Sequence, residues 1–152
     1  MSYQEQRSVL TMASGVTIFI VFFLLALPRF HALDPAVLSD GTAVLRWGAG
    51  AMLVFIASSI VIRILLMILF SIFYRIISGE EPPEIEDERD RQIELKVNHV
   101  AQTLFILGFV GALVAVRIGA SPVGMLLVMA ISGVISEVVG ESTRIVLYRR
   151  GF

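Results

Sequence analysis

Arg63 and Glu137 are charged residues set inside long apolar runs. A lone charge inside a bilayer costs at least about 2.5–3.5 kcal/mol. Shifting residues 50–75 by 74 places Arg63 on Glu137, so the two opposite charges fall at one depth. That match predicts an ion pair. Its chemistry has two readings, a proton or ion relay and a structural salt bridge that sets which helix faces which. The second group able to do chemistry is acidic. Residues 80–96 hold eight acids and three bases, a local charge of −5 against −1 for the whole chain. Asp87, Glu88, Asp90, Arg91 and Glu94 fall here and, with Asn98 just beyond, form a candidate partner-binding surface.

The elements that position these groups are apolar. The chain has 152 residues, 57% hydrophobic and 16% charged. Soluble domains carry about 25% charged residues, so a bilayer is the natural place for this surface. Four runs, 9–27, 48–73, 97–116 and 123–145, match the roughly 20 helical residues needed to cross a hydrocarbon core. Backbone polar groups in lipid must pair internally, so these runs predict helices. The expected fold is all-α: a single polytopic membrane domain of four transmembrane helices, residues 1–152. The first run has only Arg7 ahead of it and no clear small-residue cleavage site before Pro28, so it reads as a retained helix. The 28–46 loop is too short for a domain and is a candidate surface helix.

Lys and Arg set the orientation. Arg7, Arg75, Arg89, Arg91, Lys96, Arg144, Arg149 and Arg150 lie on one side, and Arg29, Arg46 and Arg117 on the other. Both termini and the 79–96 segment are therefore expected in the cytoplasm of a prokaryotic inner membrane. The 74-residue shift also aligns Gly50 with Gly124, Leu53 with Leu127, Val54 with Val128, Ser58 with Ser132 and Tyr74-Arg75 with Tyr148-Arg149. Six identities in 26 positions point to two parallel helical hairpins. Small residues recur every four positions at Gly111, Ala115 and Gly119, and at Ser132, Ser136 and Gly140. Such stripes let helix backbones approach, within one bundle or in a homodimer or larger complex.

In the acidic segment, Pro82 and Pro83 suit a helix start, and no breaker follows until Gly108, so one continuous helix is expected over 84–117. Asp87, Arg91, Glu94, Asn98 and Gln102 share one side, beside an apolar stripe of Ile93, Val97 and Val100. Asp90 and Glu94 form a like-charge pair that needs an offset. Three readings follow for the segment. It is a solvated extension pairing with Arg75, Arg149 and Arg150, a docking surface for a basic cytoplasmic protein, or a cation site built from Asp87, Asp90, Glu94 and His99. Hard cations need six or more oxygens, more than one helix supplies.

The run Asp87-Glu88-Arg89-Asp90, then Ile93, Glu94, Lys96 and Asn98, leading into a transmembrane helix, resembles an uncharacterised family of small four-helix prokaryotic membrane proteins. The resemblance covers about a dozen residues, and residues 99–101 lack the aromatics common there. It implies no catalytic residue. Some members are similar in arrangement to membrane proteins paired with small helix-turn-helix regulators, which implies a basic DNA-binding partner.

No nucleophile elbow, glycine-rich phosphate loop or H-E-x-x-H is present, and there is no cysteine. His31 and His99 are expected on opposite membrane sides, and the methionines read as core filling. No enzyme activity, metal, cofactor or direct nucleic-acid contact is expected. The leading expectation is a regulatory or scaffolding membrane protein that binds a cytoplasmic partner, such as a transcriptional regulator, through its acidic helix. The alternative is a small oligomeric transporter or channel using Arg63 and Glu137.

Overall fold

The computed structural model describes residues 3–79 and 88–150. Asp87 and the prolines at 82 and 83 lie outside the described residues. The described residues form an all-helical fold. Helix α1 spans Tyr3–His31, α2 Pro35–Ser39, α3 Gly41–Ser78, α4 Glu88–Arg117 and α5 Pro122–Arg149. All but α2 are long and apolar enough to cross a membrane. Each outruns its predicted apolar core because polar residues continue the helix beyond it. The short α2 fills the surface-helix position expected in the 28–46 loop.

The boundaries follow local chemistry. Asp34 caps α2 by accepting from the Ala36 N–H at 2.8 Å, and Asp40 caps α3 through Thr42 N–H at 2.8 Å. Ser121 caps α5 through Gly124 N–H at 3.1 Å, with Pro122 in the first turn. Gly79 ends α3 in the left-handed region at φ 68°, where a side chain is disfavoured.

The four long helices run alternately up and down. Their two ends are called here the terminal end, holding Tyr3, Ser78, Glu88 and Arg149, and the loop end, holding α2 and the 118–121 turn. α5 is the hub, touching α1, α3 and α4. The tightest seam joins α4 to α5. Ala112 is fully buried, and the Cα hydrogens of Gly108 leave room for the Ser132 side chain. Gly140 packs so close to Ala101 that a β-carbon there would stand 3.2 Å from the Ala101 Cβ. The two small-residue stripes therefore differ in use. Ser132, Ser136 and Gly140 lie in or beside the bundle core, whereas Gly111 is exposed and has open space where a side chain would be.

The packing leaves α4 apart from α1 and α3. Among the described residues α3 touches α1, α2 and α5, but no Cα of α3 comes within 8 Å of α4.

Candidate functional site

Glu137 projects from the middle of α5 and Arg63 from the middle of α3. The two side chains form a two-pronged ion pair, Nη1 to Oε1 and Nη2 to Oε2. The pair expected from their matching depth thus forms within one chain. Parallel forks of this kind suit guanidinium and carboxylate, because both are planar with matched spacing.

The third wall of the pair is Gly15 of α1. A β-carbon on Gly15 would stand 2.5 Å from Glu137 Oε2 and 2.9 Å from Arg63 Nη2. The missing side chain is what lets α1 close over the fork. Sequence reasoning passed over Gly15 because a glycine in an apolar helix has many explanations. Its place in the Ala13-Ser14-Gly15 run was the available signal.

The pair is not sealed. The Arg63 side chain is 35% exposed and Glu137 17%, although the guanidinium Nε is itself buried and has no hydrogen-bond partner. The exposed side opens into a crevice of about 430 Å³ lined by Ser59, Phe105, Met129 and Gly133 together with the two charges. This crevice occupies the gap between α3 and α4. It continues toward the loop end into an aromatic chamber of about 240 Å³, where Phe19, Phe22, Phe30, Trp47 and Phe55 converge. The two share Met52, Phe55 and Ala130. One half is therefore apolar and the other carries charge.

The acidic residues at the start of α4 divide into two sets. Ile93 and Val97 are buried against α5, 2% and 3% exposed, and this fixes the rotation of α4. Asp90 and Glu94 consequently turn toward α5. Glu94 Oε2 accepts from Arg144 Nη2 at 2.8 Å, and the same guanidinium donates through Nη1 to Glu141 at 2.5 Å. Asp90 accepts from the Tyr148 hydroxyl at 3.0 Å. These contacts supply the offset that the Asp90–Glu94 pair required. Asp90 and Glu94 are thus engaged by Tyr148 and Arg144, while Arg149 donates to Glu5 of α1 at 3.0 Å. Glu88, Arg91 and Asn98 remain exposed. Among the described residues no group of three or more His, Asp or Glu side chains converges as a metal site.

The chain matches no family model, no curated protein and no solved structure.

Proposed function

We propose that the protein is a small, non-enzymatic, oligomeric transporter or channel whose path for a proton or small ion passes the Arg63–Glu137 pair. One observation carries this reading: the pair sits near the middle of two membrane-length helices and opens into a crevice instead of being packed shut. A purely structural pair needs close neighbours that satisfy its remaining hydrogen bonds to offset the cost of desolvating both charges. The pair's exposed edge faces the crevice, which leaves room for water or an ion beside the guanidinium. The α4 face on the crevice side continues the polar lining. Asn98 and Gln102 precede Phe105 at seven and three residues, on the same helical face, and lead from the crevice toward the terminal end.

The test is reconstitution in liposomes with an internal pH-sensitive dye under an imposed potassium diffusion potential. Wild-type protein is expected to collapse the proton gradient, and Glu137→Gln and Arg63→Ala to lose most of that flux. Equal leak from all three would overturn the reading. Restoration of flux by exchanging the two charges would assign the pair a structural role alone.

A second reading, docking of a basic cytoplasmic regulator on the acidic segment, is favoured by the exposure of Glu88, Arg91 and Asn98. Asp90 and Glu94 contribute less to it, because both are engaged on α5. A salt-sensitive pull-down that survives Asp90→Asn and Glu94→Gln but fails with Glu88→Gln would support it.

A further inference from the structure

The crevice between α3 and α4 presents polar groups to a side of the molecule that lipid tails cannot satisfy. Arg63 is one. Beside the crevice, Gln102 of α4 is exposed, and the packing register fixes its depth. Gly108 meets Ser132, and Ala101 meets Gly140, so in this antiparallel pair Gln102 lies level with Glu137 to within about a turn. Gln102 also shares its helical face with Phe105, which lines the crevice. Asn98, Gln102, Phe105 and Phe109 follow one another at spacings of four, three and four. This is the spacing of a helix seam that packs against another helix, with amides at two of its positions. No helix of the same chain covers that seam, since α4 touches α5 alone among the described residues.

We propose that a second copy of the chain covers it, so that two α4 helices meet along this seam and the two crevices join into one chamber at the twofold axis. The choice of a second copy rests on the chemistry of the amide. A carboxamide carries both donor and acceptor, so Gln102 can pair with its own image across a twofold axis. A partner must bring such a group to the same depth, and the symmetry-related helix does so automatically. Hydrogen bonds between amides of this kind hold transmembrane helices together. The inference shares the crevice with the transport reading but requires no flux.

The chain has no cysteine, so single cysteines report proximity without background. Phe109→Cys tests the seam with Gln102 intact. Leu107→Cys is the control, since Leu107 is 62% exposed and lies about 140° around α4 from Gln102. Oxidation in native membranes is expected to convert most of the Phe109→Cys protein to a covalent dimer and little of the Leu107→Cys protein. Adding Gln102→Leu to Phe109→Cys should cut dimer yield several-fold. Monomer in both single-cysteine proteins, or equal crosslinking in both, would overturn the seam. If Phe109→Cys crosslinks while wild-type liposomes show no flux, the seam stands and the transport reading falls. Flux from a protein that stays monomeric by this test does the reverse.

Discussion

α5 carries two ion-pair systems that differ in depth and in redundancy. Near its middle, Glu137 has one partner, Arg63, with Gly15 closing over both. At the terminal end, Arg144 is held by two carboxylates, Tyr148 by a third, and Arg149 reaches Glu5 on another helix. The chemistry is the same, but the surroundings are not. A carboxylate at mid-membrane depth that loses its partner is left with no second cation beside it and is costly to keep charged. A charge at the end of the helices has solvent and alternative partners. The deep site is therefore a single point of failure, and the terminal cluster is a distributed clamp.

Removing one charge is the strongest way to break the comparison. Arg63→Ala strands Glu137 and is expected to cost about 3–5 kcal/mol, measured by reversible unfolding in mixed micelles. Replacing both residues by leucine should recover most of that loss. A loss from Arg63→Ala no larger than from Glu94→Gln would erase the distinction between the sites.

The α4–α5 seam is next. Gly108→Ala drives a β-carbon into Ser132 and should cost about 2–3 kcal/mol, with rescue by Ser132→Gly. Failure of that rescue would mean the helices separate at this level for another reason.

Gly15→Ala sharpens the account of the deep pair. It should cost about 1–2 kcal/mol in the native chain and much less once Arg63 and Glu137 are both leucine. Equal cost in the two backgrounds would show that α1 meets the helix backbones and not the fork.

The terminal cluster should respond weakly. Glu94 is 42% exposed and Arg144 keeps Glu141, so Glu94→Gln is expected to cost about 0.5–1 kcal/mol. Arg149→Ala removes a pair whose arginine side chain is 62% exposed. It should cost well under about 1 kcal/mol and vanish in high salt.

Several features were legible in the sequence for physical reasons. Length and apolarity specify helices wherever backbone groups have no water to bond, so the four long helices are one-dimensional information. Arg63 and Glu137 were legible as partners because a shared depth in parallel helices is also a linear quantity. Other features were not. The 87–102 stripe places Glu94 beside Arg91 and Asn98 on a helical wheel, yet Glu94 binds Arg144 while the other two are exposed. A wheel gives relative angles within a helix and says nothing about where the neighbour stands. Ile93 and Val97, by burying against α5, set that rotation. The small-residue stripes are the same case, since spacing alone cannot tell the buried Gly140 from the open Gly111.

Residue type and order alone thus determined the number of long helices and the shared depth of Arg63 and Glu137. These follow from interactions within a few residues or from depth along one axis. Tertiary structure decided the rest: that Gly15 closes over the ion pair, that Asp90 and Glu94 turn onto α5, and that α3 stands apart from α4 and leaves the pair open. Each depends on the azimuth of one helix about another. That angle is set by side-chain packing between segments as far apart as Gly15 and Glu137, and no local pattern encodes it.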